Sequence, residues 1–165
     1  MKVGFIGFGE VSYTLSKIIL SKGLDVLTSL EGRSEKTRNL AGSLDIDILD
    51  SFEDVAREAD VLISANSPGS ALAVAVKYGP LTDGIFLDLN NISPRTASEI
   101  ANYLSDEHFI DSAIMGKVKS DELNLFFSGK RADEFKKFLQ AYASNNPEIK
   151  VNITVIRSEE RRVGK

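Results

Sequence analysis

The chain has 165 residues, a formal net charge of −4 and no cysteine. This length suits one domain with a sizeable core, the acidic balance argues against a nucleic-acid partner, and the lack of cysteine excludes disulfides and thiolate zinc sites. No apolar stretch approaches about eighteen residues. We therefore expect no signal peptide and no membrane span, and take the cytoplasm as the location.

Short β-branched runs alternate with helical patterns, which is typical of a parallel sheet with crossover helices. In chain order the predicted elements are strand 2–6, a helix from about 10 to 22, strand 24–28, helix 36–41, strand 46–49, helix 52–58 capped by Ser51, strand 60–65, helix 70–77, strand 85–89, a helix opened by Ser93 and Pro94, strands 108–111 and 124–128, helix 133–143 and strand 150–156. This order predicts an α/β fold with a doubly wound, mostly parallel sheet, which is a Rossmann-like dinucleotide-binding domain over residues 1–156.

The first strand runs into the segment GFGEVS, residues 7–12, which opens the first helix, as a dinucleotide-binding turn requires. Gly7 permits the tight turn, and Gly9 lets the main chain approach a pyrophosphate at the helix N-terminus. Ser12 replaces the third glycine of the pattern, and we expect a slightly displaced helix with the site intact. The predicted cofactor contacts of this turn are Gly7, Phe8, Gly9, Glu10 and Val11. A purely structural glycine turn is the alternative.

The segment after the second strand bears on the choice between NAD and NADP. NAD enzymes usually carry Asp or Glu about twenty residues past the glycine turn, whereas this chain has Thr28 and Ser29 at the strand end. Arg33 beside Ser34 suits bidentate recognition of a 2′-phosphate, although Glu31 opposes an anion there. We predict that Arg33 and Ser34 bind NADP, with NAD as the less favoured cofactor and an ordinary solvated helix start as the alternative.

Five segments carry a resemblance to a known family. They are VGFIGFGEVSYTL, TSLEGRSEKT, LDLNNISPRTASEIA, FIDSAIMG and FFSGKRADEF, in this order. Together they resemble the cofactor domain of the β-hydroxyacid and 6-phosphogluconate dehydrogenase superfamily, closest to an uncharacterised microbial branch. The resemblance implies hydride transfer between NADP(H) and a small polar hydroxyacid. It also implies a following helical domain, not found in this chain, that supplies the catalytic lysine and much of a homodimer interface.

By this resemblance, further contacts lie where later strands end, since open α/β sheets bind ligands at that edge. Asn66 and Ser67 follow the fourth strand, and Asn91 follows the fifth, so all three are predicted to contact the cofactor. Each could instead be a turn residue, and Ser93 is predicted to be a helix cap. Met115 stands where the superfamily commonly has a substrate-contacting serine, which argues against the usual 3-hydroxyacid.

No catalytic residue is predicted within the chain. His108, the single histidine, lies at the beginning of the predicted sixth strand, at the end opposite the ligand edge, so we predict a structural role. Lys117 and Lys119 follow a glycine on a predicted loop with no obvious rigid support. No converging set of ligands indicates a metal site. We expect the chain alone to bind NADPH weakly, to self-associate and to show no turnover.

Two alternatives to a dehydrogenase domain stay open. One is a non-catalytic dinucleotide-sensing module, and the other is an imine reductase resembling pyrroline-5-carboxylate reductase. The final segment RSEERRVGK, residues 157–165, contains one apolar residue and resembles the translation of a sequencing adapter. We predict that it is a foreign or disordered tail, with a solvated charged terminus as the alternative.

Overall fold

The structure is a computed structural model that describes residues 1–115, 122–142 and 150–156. The strands are β1 (Lys2–Ile6), β2 (Asp25–Ser29), β3 (Asp47–Leu49), β4 (Val61–Ser64), β5 (Ile85–Asp88), β6 (Phe109–Met115), β7 (Glu122–Ser128) and β8 (Lys150–Val155). The helices are α1 (Glu10–Ser21), α2 (Glu35–Gly42), α3 (Phe52–Glu58), α4 (Ala71–Tyr78), α5 (Pro94–Leu104) and α6 (Ala132–Tyr142), with 3₁₀ turns at Pro68–Ser70 and Gly79–Leu81.

The strands form one sheet in the order β3-β2-β1-β4-β5-β6-β7-β8. Neighbouring strands from β3 to β6 pair in parallel, β7 runs antiparallel to β6, and β8 runs parallel to β7. The predicted doubly wound, mostly parallel α/β fold is therefore confirmed. From β1 the chain builds the sheet in one direction through β2 and β3, and then in the opposite direction from β4 onward. The switch point between β1 and β4 leaves a crevice at the carboxyl ends of these two strands.

The sixth strand is longer than the sequence predicts. The sequence pattern predicts it at 108–111, but the strand continues to Met115, because its second half pairs with β7, with Ala113 opposite Phe126 and Met115 opposite Asn124. The antiparallel neighbour β7 supplies hydrogen-bond partners for the backbone of this second half. The alternation of apolar residues within β6 does not indicate that such a neighbour exists. The sheet therefore projects beyond the ends of β4 and β5 on this side.

Helices cover both faces of the central strands, so consecutive strand residues are buried on opposite sides. Phe5 packs in a cluster with Leu15 and Ile18 of α1, whereas the next residue, Ile6, packs in a second cluster with Ala75 of α4. This double burial explains why the β1 segment is almost uniformly apolar. Within the described ranges, no helix has the length and apolarity needed to cross a membrane.

Helix caps fix where several helices begin. The Ser51 hydroxyl accepts a hydrogen bond from the Asp54 amide (3.1 Å), and the Ser93 hydroxyl accepts one from the Thr96 amide (3.1 Å), as predicted for both caps. Helix α1 differs, because its N-cap is Gly9 and no side chain caps it. The first turn of α1 therefore lacks the side-chain acceptor that Ser51 gives α3 and Ser93 gives α5.

Candidate functional site

The turn between β1 and α1 requires glycine at its first position. Gly7 has φ +94°, and a Cβ there would overlap the carbonyl oxygen of Ala65 and lie 2.6 Å from Asn66 Oδ1. Ser12 is fully buried, and its hydroxyl donates a hydrogen bond to the Gly7 carbonyl oxygen (2.9 Å). The third position of the pattern thus accommodates serine by a hydrogen bond within the turn, which the spacing of the glycine pattern alone does not predict.

Gly9 has a different role from Gly7. Its φ of −97° and ψ of −159° are open to any residue, and a Cβ there would meet no described atom within 4 Å. The open space lies at the start of the 12-residue helix α1, whose first-turn amides no side chain caps. The main-chain amides at a helix N-terminus and the positive end of the helix dipole form a site suited to a phosphate-type anion.

The other predicted residues of this turn divide into inward and outward positions. Phe8 is 3% exposed and packs edge-on against Phe5, with ring centres 5.9 Å apart. Val11 is half-buried against the same apolar cluster, whereas Glu10 is exposed in the first turn of α1. A ligand at this turn can therefore meet the main chain of Phe8 but not its ring.

A hydrogen-bond network joins the carboxyl ends of β1, β4 and β5. The Asn66 side chain donates to the carbonyl oxygen of Ile6 (2.9 Å), and its main-chain amide donates to Asn90 Oδ1 (2.5 Å). Asn90 Nδ2 donates to Ser64 Oγ (3.0 Å) and to Asp88 Oδ2 (2.9 Å). Sequence reasoning selected Asn66 but missed the roles of Ser64 and Asp88, whose only signal was a polar residue ending an apolar strand.

The remaining predicted contacts of this edge are exposed. Ser67 shares a hydrogen bond with Ser70 (Oγ to Oγ, 2.6 Å), and Asn91 is exposed with φ +52°. A left-handed asparagine is uncommon outside turns. It directly follows Asn90 and lies two residues before Ser93, the N-cap of α5.

The loop after β2 brings Arg33 against an aromatic ring. The Arg33 guanidinium carbon lies 4.8 Å from the centre of the Phe52 ring, at the start of α3. Its Nε is buried and has no hydrogen-bond partner in the described part of the chain. Ser34 caps α2 by accepting a hydrogen bond from the Thr37 amide (3.3 Å). Arg33 is thus oriented by stacking, whereas the Ser34 hydroxyl already serves the helix.

His108 lies at the amino edge of the sheet, as predicted, although β6 begins one residue later at Phe109; its Nδ1 is 3.2 Å from the Gly84 carbonyl oxygen. Away from the ligand edge, the Lys130 ammonium lowers the pKa of Glu107, and burial lowers the pKa of Lys22. Among the described residues, no group of three or more acidic, histidine or cysteine side chains could hold a metal.

The predictions for Lys117, Lys119 and the tail 157–165 lie outside the described residues.

Comparison with known proteins agrees with this geometry. Residues 2–91 match the model of the family described as NADP oxidoreductase, coenzyme F420-dependent. The chain is 45% identical over 136 residues to an uncharacterized 28.5 kDa protein in the 7S RNA 5′ region of Methanothermus fervidus, covering 82% of this chain and 53% of that protein. It therefore spans about half the length of this relative.

Two solved structures are similar to this chain, one in both sequence and fold and the other in fold alone. A conserved protein of unknown function, reported as structurally similar to 3-hydroxyacid dehydrogenases, is 38% identical with a TM-score of 0.83, covering 99% of this chain and 61% of that one. Mycobacterium tuberculosis 3-hydroxyisobutyrate dehydrogenase is 15% identical with a TM-score of 0.74, covering 98% and 57%, and shows the fold alone. The predicted dehydrogenase-type Rossmann resemblance is confirmed, and the chain belongs to the family of coenzyme F420-dependent NADP oxidoreductases.

Proposed function

We propose that this chain is the NADP(H)-binding domain of an oxidoreductase that moves hydride between the nicotinamide and a small polar hydroxyacid. The observation that carries the proposal is the open space at Gly9, next to the uncapped first turn of α1 and at the switch point of the sheet. This is the position where Rossmann folds hold a pyrophosphate. The nicotinamide, when bound, carries the hydride, and the protein positions it and shields it from water.

Arg33 supports NADP over NAD. The Arg33 guanidinium lies over the Phe52 ring, which fixes the position of its positive charge, and its buried Nε has no hydrogen-bond partner within the described residues. Hydrogen bonds from guanidinium to phosphate are charge-assisted and directional. The N-terminus of α2, capped by Ser34, adds a second favourable end for negative charge. A 2′-phosphate placed here would meet both.

The binding test compares NADPH and NADH by calorimetry for the wild-type chain and for Arg33→Ala. We expect the variant to lose about 1.5 to 3 kcal/mol of NADPH binding, the usual range for a hydrogen bond to a charged group, and to bind NADH almost as before. Arg95→Ala is the matched control, because the Arg95 side chain is 91% exposed and pairs only with Glu99 among the described residues. Equal losses for both cofactors would make the loop structural, and no binding of either would refute the proposal.

The family description favours a second hydride partner, coenzyme F420. Met115, at the carboxyl end of β6, is 60% exposed and presents a thioether rather than a hydroxyl. Thioethers make favourable contacts with aromatic rings, which suits a flat deazaflavin better than a polar hydroxyacid. Titration of the NADP⁺-loaded chain with F420 or 3-hydroxyisobutyrate separates the candidates, and Met115→Ser should weaken only F420 binding.

The reaction itself also needs an acid for the developing alkoxide. Because the chain spans about half the length of its curated relative, we propose that this group belongs to the part of the longer proteins that the chain does not match. The same part would supply the homodimer interface. A sensing role without catalysis predicts instead that the longer protein binds NADPH and never oxidises it, which spectrophotometry at 340 nm would show.

A further inference from the structure

Asn90 is buried at the ligand edge, and its side-chain amide bonds in three directions. The residue is 6% exposed. Its Nδ2 donates to Asp88 Oδ2 (2.9 Å) and to Ser64 Oγ (3.0 Å), and its Oδ1 accepts from the Asn66 amide (2.5 Å). Its own main-chain amide donates to Asp88 Oδ1 (2.9 Å). Both amide hydrogens and the carbonyl oxygen therefore have defined partners, which only one side-chain orientation satisfies.

These bonds connect two halves of the candidate site. On one side, Asn90 holds the main chain of Asn66, whose side chain donates to the carbonyl oxygen of Ile6, the residue before the glycine turn. On the other side, Asn90 precedes the left-handed Asn91. The separation between the turn after β1 and the loop after β5 is thus set through one buried amide anchored on the fully buried Asp88.

We propose that Asn90 is a positioning residue that fixes the spacing between the phosphate-binding turn and the nicotinamide-side loop, so that the two halves of the dinucleotide bind together. This inference rests on the proposed function. Asn90 itself needs no contact with the cofactor. Its effect passes through Asn66 on one side and Asn91 on the other.

The substitution Asn90→Asp tests this with almost no change in shape. The introduced carboxylate has no N–H for Asp88 or Ser64, and it adds a second negative charge beside Asp88. Two adjacent carboxylates raise the pKa of one of them, so a shared proton returns as the pH falls. On the surrounding described elements, Asp111 of β6 is paired in register with Asp88, and Arg95 of α5 is exposed and paired with Glu99.

The measurement is NADP⁺ affinity from pH 5.5 to 8.0, expressed as the variant-to-wild-type ratio of Kd, together with the affinity for adenosine 2′,5′-bisphosphate. At pH 8.0 we expect the NADP⁺ ratio to be about tenfold, from the loss of the two hydrogen bonds that Asn90 donates to Asp88 and Ser64, falling toward about threefold at pH 5.5. At pH 8.0 the same ratio for adenosine 2′,5′-bisphosphate should be at least about fivefold smaller than for NADP⁺, because this ligand is one half of the dinucleotide and spans only one side of the network. Asn102→Asp, the same change at an exposed position of α5, should leave both affinities at the wild-type value.

Failure of this inference is distinct from failure of the proposed function. If the wild-type chain binds no NADP⁺, the proposed function fails and this inference with it. If the wild type binds and Asn90→Asp matches Asn102→Asp, or weakens both ligands equally at every pH, only the positioning role is wrong. If Asn90→Asp does not fold, Ser64→Ala decides, with a three- to tenfold weaker NADP⁺ affinity expected and wild-type affinity overturning the inference.

Discussion

Replacing Gly9 by valine should separate ligand binding from folding. The main chain of Gly9 is extended, with φ −97° and ψ −159°, and a Cβ there would meet no described atom within 4 Å. Valine prefers extended backbone and has room at this position. Its two methyl groups would project into the space beside the first amides of α1, where we place the pyrophosphate. We therefore expect a folded chain that no longer binds the dinucleotide.

The magnitudes follow from the local geometry. At the N-cap, valine is less favourable than glycine, and the free energy of unfolding should fall by about 1 kcal/mol or less. Gly7→Ala is the matched contrast, because φ +94° and overlap with the Ala65 carbonyl oxygen both oppose a Cβ. That change should lower the free energy of unfolding by about 2 to 4 kcal/mol, from backbone strain and overpacking together.

Urea unfolding and calorimetry with NADPH measure the two effects on the same samples. The expected pattern is near-normal stability without binding for Gly9→Val, and reduced stability for Gly7→Ala. Unchanged NADPH affinity in Gly9→Val, with an intact circular dichroism spectrum, would refute the placement of the pyrophosphate at this turn. A stable Gly7→Ala chain would show that the turn relaxes without its left-handed residue.

Three further changes test other parts of the fold. Ser12→Ala removes the buried donor to the turn carbonyl and should cost about 1 kcal/mol of stability in urea unfolding, with Ser98→Ala on the exposed face of α5 as a neutral control. Gly84→Ala would push a methyl group into the Asp60 carbonyl, so its thermal midpoint should fall far below that of Gly69→Ala, which faces open space among the described residues. Burial lowers the pKa of Lys22, so the charged form of this side chain disfavours folding. The free energy of unfolding of the wild type should therefore rise as the pH increases toward the ordinary pKa of lysine. Urea titrations between pH 8 and 10.5 should show this rise for the wild type and not for Lys22→Met.

The order and type of the main elements could be predicted from the sequence, because the cues are local. Apolar period-2 and helical spacing, the caps at Ser51 and Ser93, and the glycines after β1 each act within a few residues of where they stand in the chain. Boundaries were accurate where such a cue existed, as for α3 at Phe52–Glu58. They failed at β6, whose extension depends on a partner strand.

The inner construction of the candidate site was decided only by the tertiary structure. Asn66 and Asn90 are 24 residues apart, and Arg33 meets Phe52 from a different element. Such contacts depend on which strands become neighbours and in what register, and the periodicity of a single strand carries no information on either. The sequence alone thus indicated where a dinucleotide turn begins, while the packed sheet determined that a buried amide, Asn90, would connect that turn to the loop after β5.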